Sequence, residues 1–257
     1  MEGLISDKGT KVGSIYSFRN DPKTIEGLTF AGFDVISLAN NHAFDYGRAA
    51  LEDTFLRLKT AGVDEHSFIS TRRSARVIDY IGAGLNENEA FSPIIKEING
   101  SIGSPQVKIA FLAYTNLGPE TWKATAENSG IAWISEKNFE RIKGEIENAK
   151  SKADILIVSL HSGEEYLSEP TQFQIEFSKA AIDSGADLVV GHHSHVVQSM
   201  EKYGDGWIFY SLGNFVFDQS FSEETMRGQI IKILIEDDKI KEVILINIKI
   251  NKLFQPR

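Results

Sequence analysis

The chain has 257 residues, enough to bury a substantial apolar core in one large domain or two small ones. Its formal net charge of -9 excludes non-specific binding to nucleic acid or to an anionic membrane surface, since both need a basic footprint. The absence of cysteine excludes disulfides, thiolate metal sites and thiol nucleophiles, and leaves histidines and carboxylates as metal ligands.

From the N-terminus, "MEGLISDKGTKVG" has neither the basic nor the apolar stretch of a signal peptide, and no run of about 18 apolar residues follows to span a bilayer. As written, the chain reads as soluble and by default cytoplasmic. "FDVISLAN" (33–40) reads as a buried strand, followed by a helix with Leu51, Phe55 and Leu58 in phase. The segment 64–80 is mixed and locally basic and reads as a surface excursion. "VKIAFLAYT" (107–115) is a second buried strand, and Ser135 is placed to cap a helix carrying Phe139, Ile142 and Ile146 on one face. "DILIVSLH" (154–161) is a third strand, a helix with Phe173, Phe177, Ala180 and Ala181 ends at Gly185, and "DLVVG" (187–191) is a fourth strand. From Trp207, "WIFYSL", "GQIIKILIE" and "EVILINIKI" read as short strands of an antiparallel closing sheet. Alternating β and α elements followed by hairpins predict a layered α/β fold of two packed sheets flanked by helices. With no Pro-, Gly- or Ser-rich linker and no repeat, residues 1–257 read as a single domain.

The polar residues gather at strand ends. Asn40, Asn41 and His42 follow the first strand, His161 ends the third, and "GHHSHV" follows the fourth with three of the chain's six histidines in four positions. In open α/β sheets ligands bind beyond the carboxyl ends of the strands. Imidazoles this dense repel one another when protonated. The spacing of His193 and His195 suits ligands of neighbouring metal ions, and His161 and Asn41 add an imidazole and an amide oxygen, a donor set for Zn, Mn or Fe. These four side chains are expected to converge on one pocket. Blander readings exist beside this one: His161 as a structural histidine, Asn40-Asn41 as turn chemistry, Gly213-Asn214 as a tight turn, and the Glu164-Glu165 carboxylates as a solvated loop.

Four stretches, "AGFDVISLANNHAFDYG", "LHSGEEY", "GADLVVGHHSHVVQ" and "IFYSLGNFVFD", stand in an order and spacing that resembles the CapA family of capsule-synthesis or poly-γ-glutamate biosynthesis proteins. The fold of that family is similar to the calcineurin-like metallophosphoesterases, so the resemblance implies an αββα sandwich with one or two divalent metals, Mn, Zn or Fe, at the strand ends. It implies metal ligation by Asn41, His161, His193 and His195, a general-acid role for His42, and a loop neighbour of open role in His192. Such folds begin with a strand ending in Gly-Asp, followed in this family by an Asn-Leu-Glu motif. "MEGLISDKG" is similar to that motif entered at its last residue, which makes Glu2 a further metal ligand and the first strand missing, as in an N-terminally truncated frame. The family pattern His-Trp-Gly-x-Glu-Tyr is matched with Ser162 in place of the aromatic residue.

The implied chemistry is metal-assisted hydrolysis of a phosphoester or a γ-glutamyl polymer, with an anionic substrate or polymer and other capsule-synthesis proteins as partners. The alternatives are a non-catalytic accessory protein of capsular polymer synthesis or export, and an inactive truncated fragment. Family members are often membrane-anchored or at the cell surface.

Overall fold

The computed structural model of the chain describes residues 1–12, 15–61, 77–99 and 106–257. The excursion expected at 64–80 falls outside the described residues up to position 76. The described chain forms two compact units, one of Met1–Ile94 with Ala113–Trp133 and one of Ile95–Leu112 with Ile134–Arg257.

In the first unit the strands are β1 (Leu4–Ile5), β2 (Arg19–Asn20), β3 (Val35–Ser37), β4 (Asp79–Ile81) and β5 (Ala83–Gly84), with helices α1 (Thr24–Ala31), α2 (Arg48–Lys59) and α3 (Glu87–Phe91). Helix α2 has its apolar positions where the sequence puts them, and Leu51, Phe55 and Leu58 are buried with Leu4, Ile5, Leu38 and Ile78 in one core. Each such side chain contributes on the order of 1.5–3 kcal/mol relative to an exposed one. The Thr54 hydroxyl of α2 accepts the Ile5 N–H at 3.1 Å, which ties the short β1 to the helix. The expected strand at 33–40 shortens to β3, which pairs in parallel with β4 only from Val35 to Ser37. Beyond it the Asn40 side chain competes for the backbone, accepting from His42 N–H at 2.8 Å and donating to the Leu38 carbonyl at 3.3 Å. This is the local side-chain bonding by which Asn ends regular structure.

The remaining elements are β6 (Ile94–Ile98), β7 (Val107–Thr115), β8 (Gly130–Ile131, paired with β5), α4 (Phe139–Lys150), β9 (Ile155–His161), α5 (Gln172–Asp183), β10 (Leu188–His192), β11 (Met200–Tyr203), β12 (Gly206–Phe209), β13 (Arg227–Glu236) and β14 (Lys239–Lys249). The second unit is built on a six-stranded sheet of order β11-β12-β10-β9-β7-β6. β7 coincides with its expected strand, and Ser135 heads a capping box with Asn138 before α4. Helix α5 starts with a second capping box, Thr171 with Gln174. α4 and α5 meet through Phe139, whose ring stands edge-on to Phe173 at 5.4 Å and to Phe177 at 5.8 Å.

One expectation is corrected. The strand at Trp207 does not join an antiparallel closing sheet: β12 runs parallel to β10 inside the main sheet and antiparallel only to β11. The antiparallel pair is β13 with β14, a separate two-stranded sheet whose turn-end residues Ile235 and Ile240 pack against Val107, Ile109 and Ile155. Alternating apolar residues mark a strand, but they do not say which neighbour it takes.

Candidate metal centre

Strands β9 and β10 run in parallel register that sets His192 beside His161 at their carboxyl ends, and Ser162 N–H donates to the His192 carbonyl at 3.2 Å. Gly191 precedes the cluster because a Cβ there would collide with the Tyr210 carbonyl. Past the strand end the backbone turns abnormally. His193 has φ 102 and His195 has φ 57, left-handed conformations that cost a non-glycine residue on the order of 1–3 kcal/mol. These turns aim the imidazoles inward: the His193 ring lies 5.0 Å from the His161 ring and 6.0 Å from the His195 ring.

A fourth residue joins them. The loop after β9 reverses at Gly163 (φ 117) and Tyr166 (φ 66), and Tyr166 N–H donates to the Ser194 carbonyl at 2.8 Å. That bond ties the two loops together and brings Glu165 to the histidines, with potential ligand atoms of Glu165, His193 and His195 all within 4.8 Å of one another. Buried amides brace the loops from behind. Gln174 donates to Gln198 Oε1 at 3.0 Å and to the Tyr210 carbonyl at 3.1 Å, while Gln198 donates to the Leu167 and Glu169 carbonyls. The Ser162 and Ser194 hydroxyls, both buried beside the histidines, find no hydrogen-bond partner among the described residues.

The protonation of His195 follows from its neighbour. The Asn214 amide donates to Gln219 Oε1 at 3.1 Å and to the Thr225 carbonyl at 3.0 Å, so its oxygen faces His195 Nδ1 at 2.9 Å as an acceptor. Nδ1 therefore carries the hydrogen, and the lone pair of the neutral ring sits on Nε2, the atom that would bind a metal. Burial, followed by the neighbouring imidazoles of His193 and His192, holds His161 well below the usual histidine value. Burial likewise lowers His192, to about 4. Both stay neutral at physiological pH, the form that ligation by His161 requires. Two or three imidazoles with one carboxylate fit Mn, Zn or Fe.

Glu2, Asn41 and His42 are grouped in the first unit, His161, His193 and His195 in the second. His42 is buried, its Nδ1 is 2.8 Å from Asp45 Oδ2, and its Nε2 is 3.2 Å from Asn41 Nδ2. Asp45 also accepts the Phe18 N–H at 2.7 Å, and the Phe18 ring lies 4.3 Å from that of His42. His42 does not cap the next helix, since α2 starts at Arg48 with Gly47 as its cap and no side-chain capping bond.

Sequence reasoning missed Glu165 and Asn214 as parts of this arrangement. Glu165 lay in the matched Glu-Tyr pattern, which was a usable signal; Asn214 looked like turn chemistry, and Gly213 beside it does turn with φ 67.

Residues 1–219 match the sequence profile of PGA_cap, described as bacterial capsule synthesis protein. The chain belongs to this capsule-synthesis family. The matched span crosses both compact units. The capsule-synthesis chain is 34% identical over 88% of its length to "Capsule biosynthesis protein CapA" of Bacillus anthracis, covering 51% of that protein. It is 33% identical over 79% of its length to "PGA biosynthesis protein CapA" of Bacillus subtilis, covering 48% of it. The chain thus spans about half the length of the curated relatives it matches. Among solved structures, a hypothetical protein from Thermus thermophilus is similar in fold, with a TM-score of 0.51 at 14% identity over 89% of this chain and 81% of that one.

Proposed function

We propose that this capsule-synthesis protein is a metal-dependent hydrolase of a phosphoester or a γ-glutamyl polymer, on a single domain with the αββα architecture of metallophosphoesterases. The observation that carries the reading is the cluster of Glu165, His193 and His195, with His195 held in the tautomer that leaves Nε2 for a ligand. His161 completes the donor set in the second unit, while Asn41 and Glu2, in the first unit, are ligands by the family resemblance alone. Glu165, His193 and His195 would hold a divalent ion, which would supply Lewis-acid charge and a more acidic bound water.

The chain's own contribution to proton transfer is His42. Asp45 faces its Nδ1 and fixes the ring, which leaves Nε2 as the atom that would exchange a proton with a leaving group. Phe18 packs on the ring and holds Asp45 through its backbone N–H, so the pair cannot swing apart freely. Glu165, exposed beside half-buried His193 and buried His195, makes the cluster reachable from solvent.

The test is turnover of a synthetic phosphodiester and of poly-γ-glutamate by the Mn-supplemented chain, compared with His42→Ala. Loss of roughly a hundredfold or more with metal content retained is the expected result. Loss of the metal in His42→Ala makes His42 a ligand or a structural residue. Absence of turnover on both substrates, with polymer binding intact, favours the non-catalytic accessory role.

A further inference from the structure

The chain is acidic overall, yet one row of the second unit is basic. Arg227 and Lys249 face each other directly across the β13–β14 ladder. Lys249 in turn exchanges both backbone hydrogen bonds with Arg257, at 2.9 and 3.0 Å. Residues paired directly across strands project to the same face, so three cations stand side by side at strand spacing, about 5 Å each. Like charges opposite one another destabilise a ladder. Arg227 is relieved by Glu223 at 2.9 Å, whereas Lys249, Arg257 and nearby Lys252 have no acidic partner among the described residues.

The row lies where two hollows meet. One of about 640 Å³ includes Phe221, Met226, Lys249, Lys252 and Arg257 in its walls together with Glu223, the carboxylate paired with Arg227, and one of about 530 Å³ includes Arg227, Gln229, Asn247, Lys249 and Arg257. Lys249 and Arg257 belong to both, so the hollows are joined along the cations. Two residues along the same face, Gln229 Nε2 donates to Asn247 Oδ1 at 2.9 Å. That bond uses one donor and one acceptor of the pair and leaves Gln229 Oε1 as an acceptor and Asn247 Nδ2 as a donor. An acceptor and a donor side by side complement the N–H and C=O of another amide.

We propose that this groove binds a polyanionic polyamide, a chain that carries both a carboxylate and an amide in each repeat. The cations take the carboxylates and the Gln229–Asn247 pair takes the amide link. A more densely charged polyphosphate would meet the cations but leave the amide pair unmatched, and it would be repelled more strongly by the net charge of -9. The proposal rests on the capsular-polymer part of the function above and not on its metal chemistry.

The test is fluorescence anisotropy of the full chain with fluorescein-labelled poly-γ-glutamate at low ionic strength. The double substitution Lys249→Gln with Arg257→Gln is expected to weaken binding by roughly tenfold or more, with the melting curve unchanged because both side chains are exposed. Lys232→Gln with Lys239→Gln removes the same charge elsewhere on the hairpin and is expected to change binding by less than about twofold. Chelator leaves binding intact, which separates this groove from the metal site. Equal loss in both double variants reduces the effect to net charge and overturns the proposal, as does unchanged binding in the first variant. Loss of binding on chelation moves the polymer to the metal centre. Displacement of the probe by polyphosphate at a lower concentration than by unlabelled poly-γ-glutamate overturns the choice of a polyamide.

Discussion

His195 Nδ1 and Asn214 Oδ1 are 2.9 Å apart, and both side chains are buried. The amide hydrogens of Asn214 are already committed to Gln219 and Thr225, so this contact sets both the tautomer and the direction of the imidazole. Outer partners of this kind are worth about 10–100-fold in metal affinity. Asn214→Leu is therefore expected to raise the Mn dissociation constant by about that factor. Asn214→Asp keeps the acceptor and is expected to lose less. Titration calorimetry reads the difference, and equal affinities for all three chains would show that His195 is positioned by something else.

The left-handed backbone at His193, φ 102, predicts a trade between stability and metal binding. His193→Gly and His193→Ala both remove the imidazole, but only glycine adopts this conformation without strain. The glycine variant is expected to be more stable than the alanine variant by about 1 kcal/mol or more in urea unfolding, with the metal lost from both. Equal stabilities would mean that the backbone at 193 relaxes when the side chain is removed.

Acid sensitivity has a definite source in the first unit. Burial alone would raise the Asp53 carboxyl, but hydrogen bonds from Arg57 at 2.7 Å, Lys8 at 2.9 Å and Ser6 at 2.7 Å outweigh it and hold the group below the ordinary carboxylate value. The unfolded chain then takes up this proton at higher pH than the folded one. The contribution is complete above the unfolded value, about 3.9, and is lost as pH falls through the lower folded value. Asp53→Asn is expected to lower the melting temperature at neutral pH and to flatten its fall between about pH 4 and more acidic values. A variant whose curve runs parallel to the wild type at every pH would remove Asp53 from the account.

What could be read from the sequence depended on how local each signal was. Val107–Thr115 is legible to the residue because it is a nearly unbroken apolar run, interrupted only by exposed Lys108, and α2 because Leu51, Phe55 and Leu58 repeat at helical spacing. The three site histidines are legible because strand ends and density are both sequence properties. Parallel pairing of β12 with β10 is not, since partner choice is settled by the fold around the strand. Nor is the bond from His195 to Asn214, 19 residues apart, which exists only once Gly213 has turned the chain. Glu165 looks like any loop carboxylate until Tyr166 N–H meets the Ser194 carbonyl. The Asp45 contact with His42 spans three residues of a turn, where no periodic pattern says which side chains meet.

The proposed centre is tested most directly by elemental analysis of protein purified without chelator and dialysed against Mn, for the wild type and for Glu165→Gln, His193→Ala and His195→Ala combined. A single ion per wild-type chain and none in the combined variant, with circular dichroism unchanged, is the expected result. An ion retained by the combined variant, or a folded wild type that binds none, would contradict the assignment of Glu165, His193 and His195 as the metal centre.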